Sequence, residues 1–90
     1  MSPITNATRS EAYENRPKMQ RKAEIIAFLD SIYPDAATAR EIMYFLGYQE
    51  PNAVRPRLTE LDFEGRVEVV GTKVDMFTNR RVACYRRVKL

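Results

Sequence analysis

The side chains in this sequence best placed to do chemistry are arginines, an asparagine and a threonine, and what they suit is recognition of phosphates and base edges. Arg55 can grip guanine and Asn52 can grip adenine, each through two hydrogen bonds. Thr59, one turn beyond Arg55, can reach a base edge or a flanking phosphate, and Arg57 suits a flanking phosphate. Further along, Lys73, Arg80 and Arg81 are candidates for phosphates or for a minor groove. Asn52 has a second use that stays open, because the same side-chain oxygen can cap a helix beginning there.

Bond-making chemistry finds little support. There is no His and a single Cys, Cys84, so the usual zinc ligand sets cannot be assembled within one chain. Triads and dyads with a His base fall for the same reason. Glu60, Asp62 and Glu64 are spaced to spread around a helix, which makes them a solvated face rather than an acid-base pair. Cys84, Met19, Met43 and Met76 read as packing residues. With no Gly-rich phosphate loop either, the chain is expected to be no enzyme and to hold no cofactor and no metal.

Ninety residues allow one small domain, whose core needs most of the aliphatic residues available and leaves few for a deep pocket. One Cys, no signal-peptide pattern and no apolar run near about 20 residues predict a cytoplasmic protein with no membrane segment.

The elements that would position the candidate residues follow from periodicity. Residues 1–17 are poor in large aliphatics and predict a flexible tail, with a helical turn over Ser10 to Glu14 and a docking Tyr13 both left open. From 18 to 90 the chain predicts a folded domain. Ile25, Ile26, Leu29, Ile32 and Tyr33 recur at helical spacing, so residues 18–32 form an amphipathic helix that Pro34 ends. Thr38-Ala39-Arg40-Glu41 is a capping box, and Gly47 supplies a left-handed stop for the short helix it opens.

A third helix is expected over 52–64, with Val54, Leu58 and Leu61 buried and Arg55, Pro56, Thr59 and Phe63 on the opposite side. Phe63 is then either an exposed contact or, by a slight preference, folded back onto the core as the helix frays. Beyond Gly65 the period becomes two, and residues 66–89 predict a hairpin turning at Thr78-Asn79. Its register stays open: a two-residue turn sets Val69 opposite Val88, burial of Tyr85 favours another face, and a bulge around Gly71 would reconcile them.

Ala39-Arg40-Glu41-Ile42 to Leu46-Gly47, then Pro51-Asn52-Ala53-Val54-Arg55-Pro56-Arg57-Leu58-Thr59-Glu60-Leu61 to Gly65-Arg66-Val67, resembles the winged helix-turn-helix domains of bacterial and phage DNA-binding proteins. The resemblance covers about residues 18–89. It implies an α+β fold of three helices followed by a two-stranded β-hairpin wing, with the third helix in a major groove and the wing along the adjacent backbone.

Charge is distributed in keeping with that expectation. Residues 66–90 carry Arg66, Lys73, Arg80, Arg81, Arg86, Arg87 and Lys89 against Glu68 and Asp75, although the whole chain is only +3. Neutralising phosphates with such cations releases counterions; a solubilising edge rich in Lys and Arg is the plainer alternative.

The sequence therefore predicts a small regulator that binds double-stranded DNA, a monomer or weak homodimer, nucleoid-associated or in the host cytoplasm if phage-encoded. The competing expectation is a winged-helix interaction module with no direct DNA binding. It would be an adaptor in a replication, transcription or host-takeover complex, meeting a protein through Phe63 or the tail.

Overall fold

The computed structural model describes residues 17–89. The expected tail, with Ser10 to Glu14 and Tyr13, lies outside the described residues apart from Pro17. Helix α1 (Lys18–Ile32) has the bounds its periodicity predicts, with Ile25 and Leu29 fully buried and Ile26, Phe28 and Ile32 packed around them. Met19, expected to pack, is instead exposed at its outer end.

A short strand, β1 (Ala37–Thr38), follows, and its last residue doubles as the cap of helix α2 (Ala39–Leu46). Thr38 Oγ1 accepts from the Glu41 amide at 3.2 Å, and the Thr38 amide donates to Glu41 Oε1 at 2.9 Å, closing the capping box. Gly47, at φ 83°, ends the helix in a left-handed conformation that a Cβ would disfavour. Tyr48 then turns inward to lie among the core residues, and its hydroxyl donates to Glu24 Oε1 of α1 at 2.8 Å.

The single helix expected over 52–64 is divided. Pro51–Ala53 form a 3-10 turn, Val54 is the joint, and α3 runs Arg55–Phe63. Pro56 explains the division. Were Asn52 the cap, Pro56 would fall where its missing N–H leaves the Asn52 carbonyl unbonded; with α3 starting at Arg55, it is the second residue and no bond is lost. The first full helical bond is Leu58 N–H to the Val54 carbonyl, at 2.9 Å. Val54, Leu58 and Leu61 are fully buried. Each contributes about 1.5–3 kcal/mol relative to an exposed side chain. Gly65 stops the helix at φ 76°.

Strands β2 (Val67–Asp75) and β3 (Arg80–Arg87) form the hairpin, and β1 pairs with the far side of β3, giving a three-stranded antiparallel sheet in the order β1-β3-β2. The expected two-stranded unit is thus corrected to three, within the α+β class. Two residues are too few to show alternation, which is why β1 leaves no period-two signal. The register sets Val67 opposite Arg87 and Val69 opposite Tyr85, then skips Val70 so that Gly71 faces Cys84. This bulge is the one placed around Gly71 on the sequence, and it lets Tyr85 pack against the core. The turn has four residues rather than two: Asp75 faces Arg80 across Met76–Asn79, with Asn79 at φ 60° and its amide donating to the Asp75 carbonyl at 2.7 Å.

Candidate nucleic-acid interface

The start of α3 fixes two of the candidate side chains, Arg55 and Thr59, with Pro56 beside them. Arg55, Pro56 and Thr59 are exposed on the side opposite Leu58 and Leu61. Thr59 Oγ1 donates to the Arg55 carbonyl at 3.2 Å, within the helix. Arg55 and Arg40 flank a shallow cleft of about 210 Å³ between the start of α3 and the sheet, with Asp75, Val82 and Tyr85 also on its walls. Burial pushes the Tyr85 hydroxyl above its ordinary 10.0, Asp62 adding to the effect and Arg55 opposing it.

Asn52 and Arg57 are placed differently from Arg55. Asn52 is exposed inside the 3-10 turn and makes no cap, since the joint residue of α3 is Val54. Arg57 is only 6% exposed and pairs with Glu60 through Nη2 at 2.9 Å, so its guanidinium is engaged within the fold. The signal was present in the helical wheel: advancing about 100° per residue from Asn52, Arg57 falls at about 140°, beside Leu61 at about 180°. Phe63 is corrected in the other direction. It is 93% exposed, outward as its phase indicates, and not folded onto the core.

On the hairpin, charge is mostly committed internally. Arg86 meets Glu68, Lys89 and Arg87 meet Asp30 of α1, and Arg66 approaches Glu64. Lys73, a phosphate candidate, is bound to Glu41 across the capping box. Burial works to raise the Glu41 carboxyl, but the Lys73 bond and the Thr38 contacts outweigh it and hold the group below its ordinary 4.5. Lys73 is correspondingly raised, chiefly by the same bond. Among the described residues, Arg55, Arg80 and Arg81 are exposed and form no ion pair with a carboxylate; Arg81 donates to Thr72 Oγ1 at 3.1 Å. Across the hairpin, Arg80 stands opposite Asp75 and Arg81 opposite Val74.

Four residues of the neighbourhood escaped the sequence reading: Arg40, Asp75, Met76 and Phe77. The buried Asp75 carboxylate receives Arg40 Nε at 3.0–3.1 Å on both oxygens and the Phe77 amide at 2.9 Å. That amide, then Arg40 and Thr78, hold the Asp75 carboxyl below its ordinary 3.8 against the opposing effect of burial. The Arg40 guanidinium also lies over the Phe77 ring, 4.5 Å from its centroid. The readable signal was an Asp two residues before a turn amide, the pattern of an Asx-turn. Met76, read as packing, is 93% exposed at the tip, whereas Met43 is buried and Cys84 half-buried.

Among the described residues, no helix is long and apolar enough to cross a membrane, and no group of three or more His, Cys, Asp or Glu could hold a metal ion. No protein-family model, curated protein or solved structure matches the chain.

Proposed function

We propose that the chain is a winged-helix DNA-binding protein, a small regulator that inserts the exposed side of α3 into a major groove and lays the tip of its hairpin on the neighbouring backbone. The observation that carries this reading is the selective pairing of the cations. Five of the basic residues of the hairpin segment answer carboxylates of the same chain, while Arg80 and Arg81 at the tip, and Arg55 on α3, answer none among the described residues. Exposed cations without a carboxylate partner, on a helix and on a hairpin tip, are what a phosphate backbone attracts. The order of three helices followed by a hairpin supports this reading.

In this reading Arg55 contacts a base edge, Thr59 lines the same helix face, Arg80 and Arg81 hold phosphates or the minor-groove rim, and Asn52 approaches the backbone from the preceding turn. Fluorescence anisotropy with random-sequence duplex at low salt tests it. Binding is expected in the range of ordinary non-specific association, with a Kd of about 10⁻⁴–10⁻⁶ M at physiological salt. Once a preferred site has been selected from random DNA, Arg55→Ala should lower its preference over random duplex by about 1–3 kcal/mol. No binding even at low salt would remove the proposal. In that event the second reading, a protein-interaction module, gains from Phe63, whose ring stands almost wholly in solvent.

A further inference from the structure

The four-residue turn that closes the hairpin has an unusual composition for an exposed loop. Met76 is 93% exposed and Phe77 69%, and the two arginines without a carboxylate partner follow directly after Asn79. Bare apolar side chains at a loop tip are unfavourable in water, and here they are also held in place. The Asp75 carbonyl accepts the Asn79 amide, its carboxylate accepts the Phe77 amide, and Arg40 of α2 both binds that carboxylate and covers the Phe77 ring. Phe77 is therefore braced from behind, and Met76 is the more exposed of the two apolar side chains at the tip.

We infer that Met76 is a wedge for the minor groove of double-stranded DNA, entering between two base pairs while Arg80 and Arg81 hold the phosphates on either side. The inference rests on the DNA-binding reading and adds to it a deformation of the duplex. Three features converge on this occupant. An unbranched thioether is slim and adaptable enough to slide between stacked bases. Arg80 and Arg81, without a carboxylate partner among the described residues, follow it at the start of β3 and match the charge of the groove edges. The turn is preorganised, so insertion orders little that is not already ordered. Proteins that insert such apolar side chains from the minor groove kink DNA by about 20–90°.

The test uses the full chain and a duplex of about 30 base pairs, near the lower end of what resolves a bend, with a donor and acceptor dye at its ends and 2-aminopurine at a central TA step. Binding of the parent protein should shorten the end-to-end distance and raise the 2-aminopurine fluorescence. Met76→Ala should still bind, weakened by no more than about tenfold, the equivalent of roughly 1.4 kcal/mol, but leave the duplex straight and stacked; Met76→Leu should restore the bend. A Met76→Ala complex as bent as the parent's, or a parent complex that is straight, overturns the wedge while leaving the DNA-binding reading intact. A parent protein that binds no duplex overturns both.

Discussion

The two ends of the hairpin use the same residue types to opposite effect. At its base, Arg86, Arg87 and Lys89 bind Glu68 and Asp30, Val67 is buried, and Tyr85 packs against the helices. At its tip, Arg80 and Arg81 meet no carboxylate among the described residues, and Met76 and Phe77 stand in solvent. The segment's excess of five positive charges is thus not spread along it. Within the hairpin, the charge left after pairing among the described residues is that of Arg80 and Arg81 at the tip.

The largest expected effect breaks this comparison if it fails. Reversing both tip charges, Arg80→Glu with Arg81→Glu, should lower duplex affinity by about 100-fold at low salt and reduce the slope of log K against log salt by about two. Arg86→Ala with Lys89→Ala at the base should change affinity by less than about threefold, because those cations are already neutralised. Equal losses in an anisotropy titration would show that pairing within the chain does not decide availability.

An intermediate effect is expected at Asp75, where the tip is tied to α2. Its carboxyl is held below 3.8 in the fold, so its contribution is present above that value and is lost as pH falls below it through the folded pKa. Asp75→Asn should therefore melt earlier than the parent at neutral pH, and the gap should close on acidification below 3.8. A gap unchanged by acid, measured by thermal melts across that range, would mean that the carboxylate charge is not what holds Arg40 and the Phe77 amide.

The smallest effect belongs to Lys73→Ala. Its ammonium answers Glu41, so duplex affinity should fall by less than about threefold and the salt slope should stay within about half a unit of the parent's. A loss matching Arg81→Ala would return Lys73 to the interface.

The pattern of what the residues disclosed in advance has a physical basis. The capping box at Thr38 and Glu41, the glycine stops at 47 and 65, the bounds of α1 and the bulge before Gly71 are local: each depends on a few neighbours in sequence. Strand β1 was hidden because its pairing with Tyr85 and Cys84 joins residues far apart in the chain. Pro51 and Pro56 together announced a broken helix start, but only the requirement that Pro56 lie in the first turn says where the break falls. The residue types of the candidate site were legible, and which of its cations already hold a carboxylate was not. Arg57 and Lys73 look the same as Arg55 and Arg81 in a composition count, and the carboxylates that occupy them belong to other turns or elements.

The extra residue in β2 has a consequence for how this hairpin can be lengthened or shortened. Val70 resets the alternation of β2 between base and tip, while β3 alternates without a break. Adding two residues to each strand would carry the tip outward by about 7 Å with Arg80 and Arg81 on their present faces, whereas adding one would exchange those faces. Reach and handedness of the tip are therefore separate design variables, the first set by strand length and the second by whether that length changes in even or odd steps.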